Sequence, residues 1–155
     1  MSRYDFNVEE VVNHLNQILE AELSGVIKYT HYSFMIFGPH RIPIIDWLRA
    51  NATESMLHAT QIGELITHLG GHPSLEIGDL LETYKHDTVY ILKECLVHEE
   101  NALNLYRGLL KLVQDKSVMI EEFARQQISE EEKHCGEVEK MIGEPGRIQV
   151  PAGAV

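Results

Sequence analysis

Apolar residues recur every three or four places over four stretches of the chain, and that period predicts four amphipathic helices. In the first stretch Val11, Leu15, Ile18, Glu22, Val26 and Tyr29 share one face. The second aligns Leu48, Ala52, Ser55, His58 or Ala59, Ile62, Ile66 and Leu69. The third carries two overlapping stripes. One runs through Ile91, Cys95, His98, Ala102, Leu105 and Leu109, the other through Leu92, Leu96, Glu99, Leu103, Tyr106 and Leu110. The fourth aligns Ile120, Ala124, Ile128, Glu131, His134 or Cys135, Val138 and Met141.

Start and stop signals bound these stretches. Asn7-Val8-Glu9-Glu10 has the layout of a capping box, and the first helix is expected to run from there to about Phe37, where Gly38 and Pro39 stop it. Pro43 suits the first turn of the second helix, which extends to about Leu69 before Gly70-Gly71. The segment HPSLEIGDLLE has no period and is expected to cross the length of the domain. The third helix is expected from about Glu82 to Val113. QDKS then turns the chain into the fourth, which ends near Gly143. No β pattern stands out. The fold class is therefore all-α: an antiparallel four-helix bundle over residues 1–143 with one long crossover, followed by a C-terminal tail over 144–155.

Composition narrows the function. The chain of 155 residues is long enough for one domain with a substantial core. A formal net charge of −11 excludes a basic nucleic-acid-binding face and suits a protein that handles cations. Two cysteines, Cys95 and Cys135, are too few for a disulfide scaffold, which points to a reduced, cytoplasmic setting. The polar start MSRYDFNVEE does not resemble a signal peptide. No apolar run approaches the ~18 residues a membrane span needs.

The chemistry lies in residues that interrupt the apolar stripes. Glu22, His58, His98 or Glu99, and Glu131 with His134 stand near the midpoints of the four helices, on their inward faces. Burying an unpaired carboxylate costs several kcal/mol. Acids and imidazoles gathered at one level therefore call for a shared cation, and this donor set favours iron, manganese or zinc. Against this, a lone histidine in a helical stripe is more often a hydrogen-bonded core residue, and Glu130 and Glu132 read as solvated. Tyr29 and Tyr106 fall beside the same level, as core packing or as hydrogen-bond donors to it.

NQILEAELSGVIKY, ESMLHA, HEENALNLYRGLL and EEKH together resemble bacterioferritin, of the ferritin-like superfamily, over about Val11 to Ile142. The resemblance implies a ferritin-like four-helix bundle whose metal ligands are a glutamate, Glu-x-x-His, a glutamate and Glu-x-x-His on successive helices. Here these places hold Glu22, Ser55 with His58, His98, and Glu131 with His134. Four match. The bridging glutamate is Ser55 and the third-helix glutamate is His98, so the di-iron centre is altered. Glu54 and Glu99, each one residue away, are the two available substitutes. A shifted pair of metal positions and a single metal held by Glu22, His58, His98, Glu131 and His134 both remain open.

The resemblance further implies iron as cofactor and substrate, ferroxidase chemistry, and iron storage or detoxification. It also implies haem held by Met56 between two subunits, and a homo-oligomer that is a dimer or a hollow 24-subunit shell. Three alternatives stay in view. They are a non-ferroxidase shell subunit that relies on a second ferritin-like partner, a metalloenzyme such as an oxygenase or peroxide scavenger, and a bundle with no site.

Overall fold

The computed structural model describes residues 3–154. Four α-helices account for the ordered elements: α1 (Val8–Met35), α2 (Arg41–His68), α3 (Thr88–Val113) and α4 (Val118–Ile142). They form an antiparallel four-helix bundle. α1 packs along α2, α3 along α4, and Tyr29 of α1 meets Glu99 of α3 while His14 meets Leu105.

The caps explain where the helices begin and end. The Asn7 side chain accepts from the Glu10 amide, Asp87 from Tyr90 and Ser117 from Ile120. Gly70, at φ +81°, closes α2. Its amide bonds to the Thr67 carbonyl and the Gly71 amide to that of Ile66, a Schellman arrangement that uses orphan carbonyls. The third helix starts at Thr88, six residues later than the period suggested. Tyr84 sits at φ +55°, outside the helical region, and Asp87 supplies the cap only after it. Residues 71–87 are therefore all connection.

That connection climbs α1. Asn16 donates to the His72 carbonyl and accepts from the Ser74 amide, and the Gly78 amide bonds to the Glu20 carbonyl at 2.9 Å. Higher up, Glu82 reaches His31. These contacts fix the crossover from one end of the bundle to the other, so that α3 begins beside the end of α1.

The core is split in two. One apolar cluster holds Leu15, Ile18, Ile62, Ile66, Tyr106, Leu109 and Ile120. The other holds Tyr29, Ile36, Ile45, Leu48, Ile91 and Cys95. Each buried Leu or Ile contributes roughly 1.5–3 kcal/mol. Between the clusters lies a layer of buried polar side chains: Glu22, Ser55, His58, His98, Glu99 and Glu131. The first cluster joins all four helices on one side of that layer, and the second joins α1, α2 and α3 on the other. Among the described residues no helix is long and apolar enough to cross a membrane.

Candidate metal centre

Helical geometry explains why the polar layer exists. Each of its residues falls on an inward stripe that is mostly apolar, so packing of the stripes drags the polar groups inside. Glu22, Glu99 and Glu131 are only 3%, 4% and 2% exposed. His58 is equally buried, and His134 lies at the edge with its side chain 20% exposed.

Two trios share one member. Glu22, His58 and Glu131 form one, and Glu99, Glu131 and His134 form the other. Glu131 divides itself between them, with Oε1 4.0 Å from His58 Nδ1 and Oε2 3.6 Å from His134 Nδ1. Glu22 Oε1 lies 3.3 Å from the same nitrogen of His58, and Glu99 Oε2 lies 3.7 Å from that of His134. Both imidazoles therefore turn Nδ1 toward the carboxylates. Their Nε2 atoms face Glu54, at 3.7 Å from His58 and 3.2 Å from His134. Glu54, Glu130 and His134 make a further, half-exposed trio at the rim.

The outer carboxylates are anchored. The Tyr106 hydroxyl donates to Glu22 Oε1 at 2.7 Å, and the Tyr29 hydroxyl donates to Glu99 Oε1. Glu131 has no such donor. Its Oε2 is buried without a hydrogen-bond partner. An unsatisfied buried carboxylate oxygen is a costly feature in a native protein. A cavity of about 10 Å³, lined by Glu22, Glu54, Ser55, His98, Glu99, Glu131 and His134 among others, opens beside it. That is room for a particle on the order of one water molecule.

Electrostatics follow from this crowding. Burial, with Glu99 and Glu22 close by, pushes the Glu131 carboxyl well above its usual range. Burial also works to raise Glu99, but the nearby His134 and the Tyr29 hydroxyl outweigh it and hold that carboxyl low. His134 is pushed up to about 12, first by Glu131, then by Glu54 and Glu99. For His58, burial favours the neutral ring, yet the hydrogen bond to Glu22 wins and its pKa is raised. In the metal-free chain the His134 imidazole carries a proton that offsets the acids around it. A divalent cation would supply the same charge balance and would also satisfy the Glu131 oxygen.

His98 stands apart from the trios. Its ring meets Tyr29 edge-on, centroids 5.6 Å apart, and buries its nitrogen against α1. The approach is possible because Gly25 has no side chain: a Cβ there would lie 2.7 Å from His98 Nε2 and 3.0 Å from Ser55 Oγ. Burial lowers the His98 pKa, so the ring is neutral. Ser55 and His98 together fill the corner beside Gly25, and Glu99 rather than His98 joins the acid–imidazole group on α3. Met56 is on the outer side of α2, 48% exposed.

Sequence reasoning favoured core packing for Tyr29 and Tyr106, and both rings are buried, but their hydroxyls also hold the outer carboxylates. Glu130, which the pattern reads as solvated, stands at the rim with Glu54 and His134. Its spacing of four from His134 was the signal that it shares the rim.

Four antiparallel helices around an interior layer of acids and imidazoles define a ferritin-like bundle. The ferritin-like domain family matches residues 12–148, and the chain belongs to it. Comparison with curated proteins gave no match. Among solved structures the chain is similar to a ferritin-like, diiron-carboxylate protein from Bacillus anthracis, with 20% identity over 92% of this chain and 100% of that one, TM-score 0.83. It is similar to the bacterioferritin of Rhodobacter capsulatus, described with a metal-free dinuclear site and haem iron. Identity there is 26%, over 86% and 84% of the two chains, TM-score 0.74. A dodecameric thioferritin, the bacterioferritin-related protein of Bacteroides fragilis, matches at 20% identity over 87% and 85%, TM-score 0.78.

Proposed function

We propose that the protein takes up ferrous iron at the interior site and oxidises it, in iron storage or detoxification. The observation that carries this reading is the position of Glu131 between His58 and His134 with a buried oxygen that makes no hydrogen bond. The proposed ligands of one metal position are Glu22, His58 and Glu131, and those of the second are Glu99, His134 and Glu131. Glu131 is the bridge in place of a second-helix glutamate.

In this reading each residue has a separate task. Glu22, Glu99 and Glu131 supply negative charge that favours the ferric over the ferrous state. Each ferrous ion gives up one electron, and dioxygen or peroxide is the acceptor. Tyr106 and Tyr29 fix the outer carboxylates by holding one oxygen of each. Glu54 faces the far nitrogens of both imidazoles and fixes their orientation, the usual role of a carboxylate behind a metal-binding histidine. The two apolar clusters keep bulk water from the layer.

The proposed assembly is a cytoplasmic homo-oligomeric shell. Exposed Phe34, Leu57 and Leu81 on α1, α2 and the crossover leave apolar surface for subunit contacts. Haem between paired subunits would take its ligand from Met56 on the same outer side of α2, and a Soret band in the purified protein checks it.

Stopped-flow oxidation of ferrous iron by the purified protein tests the main reading. Rapid oxygen-dependent oxidation is expected, and it should vanish in Glu131→Ala. Oxidation no faster than in buffer would overturn it. That result would favour a shell subunit without ferroxidase activity, the reading that Ser55 supports because its hydroxyl turns to the Gly25 corner and cannot bridge metals.

A further inference from the structure

A second group of metal-type donors lies outside the bundle interior, where the crossover meets α1. His31 Nε2 stands 2.9 Å from Glu82 Oε2, and His86 Nε2 stands 3.3 Å from Glu82 Oε1. The donor atoms of the three residues all lie within 4.8 Å of one another. Ligands at about 2.0–2.1 Å from one tetrahedral ion stand roughly 3.3–3.4 Å apart, so side-chain adjustments within the 4.8 Å span would bring one donor of each residue onto an ion.

The arrangement is held from several sides. The Glu82 carboxylate accepts from the Tyr84 amide at 2.6 Å. Tyr84, at φ +55°, curls the chain so that Glu82 and His86 meet although neither lies in a helix. His31 is carried on the rigid last third of α1. The two imidazole centroids are 6.3 Å apart and nearly perpendicular, at 69°. The side chains are 45%, 35% and 28% exposed for His31, Glu82 and His86, which leaves a side open for water or an exchanging ligand.

We propose that His31, Glu82 and His86 bind a divalent transition ion, zinc or ferrous iron, independently of the interior site. Two imidazoles and one carboxylate with an open position form a donor set for ions of borderline softness, and one poorly suited to magnesium or calcium. Lys28 brings a positive charge to the same groove, where Asp79 and Glu94 offset it. The bound ion would clamp the crossover to α1 near the start of α3, beside the groove that Ile27, Leu80 and Leu81 line.

Titration calorimetry of the full chain with zinc alone tests the site. The native protein should bind one more equivalent per chain than His31→Ala/His86→Ala, whose exposed substitutions leave the bundle intact by circular dichroism. His58→Ala/His134→Ala should keep that equivalent while losing those of the interior. Anomalous diffraction from zinc-soaked crystals should show a peak among the three side chains. Equal stoichiometry in the native and His31→Ala/His86→Ala proteins, or a peak absent from this place, would overturn the proposal. Failure here would leave the interior reading untouched, because the two sites share no residue.

Discussion

Glu54 reaches across from α2 to His134 of α4, Oε2 to Nε2 at 3.2 Å, from the position just before Ser55. One carboxylate thus faces the outer nitrogens of both imidazoles, and removing it frees both rings. Glu54→Gln should weaken ferrous or zinc binding at the interior site by roughly 10–100-fold, the usual effect of losing an orienting carboxylate. Calorimetry measures it. An unchanged affinity would mean that Glu54 is an ordinary surface acid.

Glu131 tests the two-position arrangement. Because Gln is nearly isosteric with Glu, Glu131→Gln should leave the metal-free bundle folded, as circular dichroism would show. Metal should then no longer raise the melting temperature, since stabilisation by a ligand requires its binding to the folded state. Paired melting curves with ferrous iron and with chelator decide the matter. A metal-induced rise that survives the substitution would place the metal elsewhere.

Gly25 should be intolerant of any side chain. A Cβ would lie 2.7 Å from His98 Nε2, so Gly25→Ala forces the ring or the helix to move, at a cost on the order of 1–3 kcal/mol. His98→Ala in the same chain should restore much of the loss, a coupling that a double-mutant cycle by denaturant unfolding would measure. Additive effects would mean that His98 is not what Gly25 accommodates.

The interior site should respond to pH in a definite direction. His134 has its pKa raised to about 12 by Glu131, Glu54 and Glu99, so its pairing stabilises the metal-free chain fully below the unfolded imidazole value of 6.5. That stability declines as pH rises above 6.5 toward the raised pKa. Metal binding runs the other way, because imidazole must lose its proton to coordinate. The gap in melting temperature between metal-loaded and chelator-treated protein should therefore widen from pH 6 to pH 8. A gap that is constant or narrows would show that His134 is not among the ligands.

The sequence by itself determined the four helices and their inward faces. Periodicity dictates which residues an amphipathic helix buries, and Glu22, His58 and Glu131 lay in the middle of those faces. His98 and Glu99, one on each third-helix stripe, are both buried, so pattern alone left them as equals. Only the tertiary structure separated them. The gap at Gly25 draws the His98 ring to α1, and the Tyr29 hydroxyl draws Glu99 to the acids. The partner of Glu54 and the meeting of His31 with Glu82 and His86 were likewise invisible along the chain. Helical period fixes the face a residue occupies, whereas its neighbours across the bundle depend on how helices and crossover are set against one another, and those contacts join residues far apart in sequence.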